Sequence, residues 1–248
     1  MKTALITGAS SGIGRATAIA LANNYRLILC GRRLDKLEEL KKELQAKTEV
    51  HILTFDVSDK QQTFDAIESL PSTWKQVDVL INNAGNAHGL APFQEANLTD
   101  LEAMIDINVK GLIYVTKAVL PMMLPQHSGH IVNLSSIAGK ETYQNGTVYC
   151  ASKSAVETIS KGLRLDLVNT GIKVTNIAPG AVETEFSIVR FKGDKSKADN
   201  VYRGYTPLQA SDIANTIAYV VNAPDYVQLA DITIFPKAQA SSTVINKN

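Results

Sequence analysis

The 248-residue sequence predicts an α/β chain: a single doubly wound domain whose mostly parallel, seven-stranded sheet carries helices on both faces. Three observations carry this reading. Short β-rich runs alternate with longer helical patterns along most of the chain. Most of the short runs are continuously apolar, as strands buried on both faces require. The first of them leads straight into a glycine-rich turn, Thr7-Gly8-Ala9-Ser10-Ser11-Gly12-Ile13-Gly14, that opens a helix.

In chain order, a first strand over Lys2–Thr7 feeds that turn and a helix over Gly14–Asn23. A strand at Arg26–Cys30 precedes a helix at Leu34–Ala46, and a strand at Val50–Phe55 precedes a helix at Lys60–Leu70. The fourth strand, Val77–Asn82, is followed by a long helical pattern over Leu101–Met123. Strand His130–Leu134 then leads to a helix at Val148–Val168. The last strands, Lys173–Ile177 and Asp231–Phe235, flank a helix at Asp212–Asn222. Regular alternation of this kind implies right-handed crossovers. It breaks once, over residues 183–207, a polar and charged stretch that reads as a lid or binding loop. The polar tail 238–248 is expected either to be free or to dock on a neighbouring subunit.

Composition narrows the function classes. Hydrophobic residues make up 45% of the chain, enough for a large core, and the formal charge of +1 gives no reason to expect nucleic acid or an anionic membrane as partner. No apolar run approaches the roughly 20 residues of a membrane span. The N-terminal stretch reads as a first strand, not as a signal peptide. Cys30 and Cys150 form no disulfide framework, and the four histidines show no ligand spacing, so no metal is expected. The chain reads as a soluble enzyme of a reducing compartment.

The chemistry concentrates between Ser136 and Lys153. Tyr149 and Lys153 lie four residues apart, on one face of a helix. An ammonium beside a phenol favours the phenolate, so the pair reads as a proton donor and acceptor suited to near-neutral pH. A nearby serine hydroxyl would hold the oxygen being protonated. The glycine turn supplies the second half of a redox site. Gly8, Gly12 and Gly14 let backbone NH groups approach a pyrophosphate at a helix N-terminus, although their spacing is G-x-x-x-G-x-G rather than G-x-G-x-x-G. At the end of the second strand, where an NAD site usually carries an acid for the ribose 2′-hydroxyl, this chain has Cys30-Gly31-Arg32-Arg33. Guanidinium groups bind a 2′-phosphate, so NADP(H) is predicted, with Arg32 preferred over Arg33.

With these residues in view, the chain resembles the classical short-chain dehydrogenase/reductase family nearly end to end. Landmarks occur in family order: 7–14, Asp56-Val57, Asn82-Asn83-Ala84-Gly85, Asn108, Ser136, Tyr149 with Lys153, and Pro179-Gly180. The resemblance implies a Rossmann-type fold and a cofactor site that includes Ser10, Ser11, Ile13, Val57, Ala84, Gly85 and Val182. It implies that Asp56 contacts the adenine, that the segment 82–85 steadies the sheet and borders the cofactor, and that Pro179, Gly180 and Thr184 border the nicotinamide. Asn83 is equally readable as a pin between strands. Family spacing selects Ser136 over its neighbour Ser135, which would touch substrate or simply pack; Cys150 reads as packing. By resemblance, Lys153 lowers the Tyr149 pKa and holds the nicotinamide ribose, and Asn108 holds a water that links Lys153 to solvent.

The segments 70–74, 108–112 and above all 184–194 are most similar to the NADP-dependent 3-hydroxy acid dehydrogenase branch, which acts on serine, L-allo-threonine and related acids. That likeness implies a cytoplasmic homotetramer with contacts through the two longest helices. A carboxylate substrate needs a cation, for which Arg190 and Lys192 are the candidates, Arg190 by its bidentate geometry. A 3-oxoacyl-carrier reductase or another carbonyl reductase shares the same catalytic residues. A nucleotide-sensing protein on this fold would be expected to lack Tyr149 or Lys153.

Overall fold

The structure, a computed structural model, describes residues 1–247. Chain order is β1 (Lys2–Thr7), α1 (Gly12–Leu21), β2 (Tyr25–Gly31), α2 (Leu34–Leu44), β3 (Val50–Thr54), α3 (Lys60–Glu68) and β4 (Val79–Asn82). Then come α4 (Leu98–Ile105), α5 (Leu112–Met123), β5 (Gly129–Leu134), α6 (Ile137–Lys140), α7 (Thr147–Asp166) and β6 (Ile172–Pro179). The chain continues through β7 (Val182–Glu183), α8 (Phe186–Arg190), α9 (Lys195–Val201), β8 (Leu208–Gln209), α10 (Ala210–Val221) and β9 (Asp231–Ile234). Seven strands form one parallel sheet in the order β3-β2-β1-β4-β5-β6-β9. The order reverses between β1 and β4, and the crevice beyond their C-terminal ends is where such sheets bind ligands.

The period of two in a strand sorts the core into two layers. Ala4 and Ile6 face the cluster formed with Leu37, Leu40, Ile213 and Ile217 of α2 and α10. Leu5 and Ile28 face the opposite cluster, with Ile67 of α3 and Val115 and Val119 of α5. Both faces are therefore dry, which is why the strands read as unbroken apolar runs. All seven expected strands occur, each within two residues of the expected bounds.

Three segments differ from the sequence expectation. The long helix begins at Leu98, capped by the Asn97 side chain, and is interrupted by a π-helical turn at Asp106–Gly111. Within its run, Leu98–Gln126, one 18-residue window is apolar enough by composition to cross a membrane, a test that the core helix of a folded domain also passes. In the fold, Met104, Asn108, Leu112, Val115, Val119 and Met123 are its buried stripe at helical spacing. The stretch 183–207 is helical, through α8 and α9, and is bracketed by a second parallel pair, Val182↔Leu208 and Glu183↔Gln209. In the third difference, the tail folds back on its own chain. Gln239 is buried, its Oε1 accepts from Ala181 N at 2.8 Å, and Gln239 bridges to Ile245.

Candidate active site

The crevice is a cavity of about 810 Å³ that runs from the glycine turn, past the ends of β2 and β3, to the lid helices. At its glycine end, Gly8 and Gly12 adopt φ of +65° and +52°, a region that disfavours residues with a Cβ. A Cβ on Gly14 would collide with the Gly8 carbonyl and the Asn83 amide. Ser11 takes the N-cap position of α1 without a side-chain cap, and the first turn holds no acid. The leading NH groups of a ten-residue helix thus face the cavity free of a side-chain partner, as a phosphate cradle requires. Gly8, Ser11, Gly12 and Ile13 line the cavity; Gly14 packs behind Gly8, and Ser10 reaches the site through Arg33.

Thr7 and Asn83 stitch the switch point. Asn83 Nδ2 donates to Thr7 O at 2.9 Å, while Thr7 Oγ1 accepts from the backbone N of Asn83 and of Ala84, each at 3.0 Å. Asn83 therefore pins β1 to β4 and also lines the cavity, with Ala84 and Gly85 beside it. A Cβ on Gly85 would lie 3.1 Å from Asn108 Oδ1 and 3.3 Å from Lys153 Nζ.

The two arginines after β2 divide their work. Arg32 Nη1 pairs with Asp56 Oδ2 at 3.2 Å, whereas Arg33 reaches Ser10 Oγ at 3.2 and 3.3 Å and Glu185 Oε2 at 3.1 Å. The hydroxyl and guanidinium that would share a phosphate thus sit together on Arg33, not on Arg32, which the sequence reading preferred. Asp56 also accepts from Ser58 N and Oγ. Burial opposes its charge, but the Ser58 bonds and Arg32 hold its carboxyl below the usual range. Val57 lines the cavity alongside it.

Ser136, Tyr149 and Lys153 line one cavity. Ser136 ends the segment after β5, where its Oγ caps α6 by accepting from Ala138 N at 3.1 Å and donates to Pro179 O at 3.5 Å. Tyr149 and Lys153 are buried one turn apart on α7 and both face the cavity. Ser135 also borders the cavity, but its hydroxyl donates to Lys153 O at 3.1 Å. Cys150 is buried against Tyr149 and Ala138.

The electrostatics depart from the sequence expectation. Burial pushes the Tyr149 phenol up, with Tyr143 adding to the rise; Ser136 and Arg190, not Lys153, act to lower it. Lys153 Nζ donates to Leu134 O at 2.9 Å, and burial drops its pKa to about 8. A lysine so poorly solvated has little charge to lend at high pH. Asn108 is also engaged differently. Its Oδ1 accepts from Asn86 N at 2.8 Å, and its Nδ2 donates to Asn86 O at 2.8 Å and Ser152 Oγ at 3.0 Å. The side chain is therefore committed to protein partners. It lies in the π turn, where hydrogen bonding is shifted out of helical register.

The two lid cations separate. Arg190 projects over Tyr149, its guanidinium carbon 5.5 Å from the ring centre. Its Nε donates to Gly89 O at 3.1 Å, and its backbone O accepts from Gly89 N at 2.8 Å. Lys192 instead forms an exposed ion pair with Asp100 at 2.7 Å and does not line the cavity. It staples the lid to α4 and is no candidate for the substrate cation. Pro179, Gly180, Val182 and Thr184 form the wall between Ser136 and the lid. Sequence reasoning missed Tyr143, the loop around Gly89, and Gln239 in the tail, all of which border the site. The Asn145-Gly146 pair after Tyr143 was the one available signal, since such dipeptides mark a turn.

This arrangement can move a proton at a buried phenol beside a nucleotide-sized crevice. Comparison with known proteins bears on what it is for: the family model of short chain dehydrogenases matches residues 2–195. The chain belongs to the short-chain dehydrogenase family. It is an oxidoreductase of that family. It is 46% identical over 245 residues to an NADP-dependent 3-hydroxy acid dehydrogenase of Schizosaccharomyces pombe, covering 97% of this chain and 95% of that protein. It is 45% identical to sulfoacetaldehyde reductase 2 of Chromohalobacter salexigens, with 96% and 95% covered. Among solved structures, the closed form of a serine dehydrogenase complexed with NADP+ superposes with a TM-score of 0.94 at 38% identity, over 99% of each chain. The short-chain dehydrogenase fold expected from the sequence is thus the fold observed.

Proposed function

We propose that this short-chain dehydrogenase interconverts small 3-hydroxy acids, of the L-serine, L-allo-threonine and 3-hydroxypropionate type, with their 3-oxo acids or semialdehydes, using NADP(H). The observation that carries the reading is Arg190: a guanidinium held over Tyr149, on the cavity that also holds Ser136 and Lys153. A carbonyl reductase for neutral substrates, or for acyl chains on a carrier, has no need of a cation there. Names of relatives point to the same chemistry, since a 3-hydroxy acid dehydrogenase and a serine 3-dehydrogenase act on small hydroxy acids.

The cofactor is read as NADP(H) because Arg33 and Ser10 offer donors for a 2′-phosphate and relatives carry NADP in their names. When bound, the nicotinamide supplies the hydride acceptor or donor. The chain's own residues do the rest. Arg190 orients the acid group. Ser136 donates to the reacting oxygen, whose charge grows along the reaction. Tyr149 takes the hydroxyl proton during oxidation and returns it during reduction. Lys153 binds the ribose and passes protons onward, through a water at the π turn around Asn108. Overall, hydroxy acid and NADP+ give oxo acid, NADPH and one proton.

Exposed apolar side chains on α5 and at the end of α7 (Ile113 and Leu165) and Val168 just beyond α7 support an assembly through these helices, read as a homotetramer. Light scattering of the purified chain tests it. A cytoplasmic location is consistent with two free cysteines. The substrate test is a panel of L-serine, L-allo-threonine, 3-hydroxypropionate, 3-hydroxyisobutyrate and an acetoacetyl thioester, each with NADP and NAD. The reading expects kcat/KM to be highest for a free acid with NADP. A preference for the thioester, or equal use of NAD, sinks it.

A further inference from the structure

Tyr143 lies in the same cavity and none of the assigned chemistry uses it. Its phenol accepts from Arg190 Nη2 at 3.1 Å, and the guanidinium carbon lies 5.7 Å from its ring centre. A phenol that accepts through its oxygen keeps its own proton free to donate. Arg190 likewise has five N–H donors and spends two, one on Gly89 O and one on Tyr143. Free donors therefore remain on both groups, side by side above Tyr149.

The local chain is built to hold this ring. Asn145 takes φ of +65°, a left-handed turn, and a Cβ on Gly146 would run into the Tyr143 ring. The glycine lets the ring fold back against the start of α7, six residues before the catalytic tyrosine. Tyr143 also packs in the cluster of Ala87, Met104, Ala138, Tyr149 and Cys150. Burial raises its pKa, so it stays a neutral donor through the physiological range.

The geometry points to Tyr143 as a specificity-determining residue: with Arg190 it forms a two-armed clamp for the acid group of the substrate, the phenol binding one oxygen and the guanidinium another. The inference rests on the reading of the site as one for small acids. A clamp of two separate donors does not demand a flat, bidentate partner. It accepts a tetrahedral sulfonate as readily as a carboxylate, provided the acid carbon or sulfur is one methylene from the reacting carbon.

The test compares 3-hydroxypropionate with its uncharged amide, 3-hydroxypropionamide, at saturating NADP+. Tyr143→Phe keeps the ring and its packing on Gly146, so the fold is retained. It should raise KM for the acid about tenfold, the worth of one hydrogen bond to a charged group, with kcat little changed and the amide unaffected. In an Arg190→Ala background the same change should add little, because the two arms bind one group. If Tyr143→Phe shifts acid and amide alike, or neither, the clamp is wrong. Should Arg190→Ala also fail to separate acid from amide, the acid-substrate reading itself falls; selective loss with Arg190→Ala alone overturns only the role of Tyr143.

Discussion

Replacing Lys153 with Met tests how much stability the site gives up for its chemistry. In the unfolded chain this ammonium keeps its proton until about pH 10.4. In the folded protein, burial lowers its pKa from 10.5 to about 8, and no carboxylate faces it to offset the loss of solvation. Between those limits the unfolded state binds more protons than the native state, so stability rises with pH. Below pH 8 both states are protonated and the full cost stands; above about pH 10.4 both are neutral and it is gone. The drop corresponds to roughly 3 kcal/mol. Met keeps the stem's packing and removes the charge. Lys153→Met should therefore be the more stable protein at pH 7, and its advantage should shrink by about 3 kcal/mol by pH 10. The lost bond to Leu134 O shifts the whole curve by about 1 kcal/mol without changing its slope. Urea unfolding of both proteins at half-unit pH steps gives the difference directly, and titration of the other lysines cancels between them. A difference that stays flat from pH 7.5 to pH 10 would show that Lys153 is solvated or paired, and would refute the argument.

Three further outcomes are expected. Tyr149→Phe should lose on the order of 10²–10⁴ in kcat while nucleotide still binds, since only the proton-transferring oxygen is removed; retained turnover, followed at 340 nm, would contradict its assignment. Arg33→Ala should weaken NADP about tenfold and leave NAD nearly unchanged, a modest effect because the residue is half-exposed. The same change at Arg32 should matter less, since Arg33 and not Arg32 lies within hydrogen-bond distance of the Ser10 hydroxyl. Gly14→Ala should destabilise the protein and weaken nucleotide binding, measured by thermal melting and calorimetry. Helix propensity by itself predicts the opposite sign, about 1 kcal/mol of stabilisation, so a more stable variant would mean that the contact with Gly8 yields.

Much of the site was readable from local spacing. Tyr149 and Lys153 share a helix face by the 3.6-residue period, and the glycines declare a turn by their lack of Cβ. The missed features depend on chain brought together from far away. Arg190 meets Tyr143 across 47 residues and Gly89 across 101, while Lys192, two positions from Arg190, turns to Asp100 instead. No spacing rule distinguishes those neighbours, because the lid's path, set by the β7–β8 pair, decides which side chain faces inward. Proton affinities were also beyond reach. The sequence argument weighed an ammonium against a phenol at helical spacing and could not count the burial that dominates both groups.

By itself, then, the sequence determined the strand and helix alternation, the parallel sheet with two apolar faces, the glycine turn and the Tyr149 and Lys153 pair, while Ser136 came from family resemblance. All but Ser136 follow from periodicity and backbone permissiveness, which are local properties. The tertiary structure alone decided which arginine sits with Ser10, which lid cation faces the chemistry, and that the tail closes on its own crevice through Gln239. It also decided how far burial shifts the proton affinities of Tyr149 and Lys153. Each of these is a relation between distant segments, fixed only when the core packs and water is excluded.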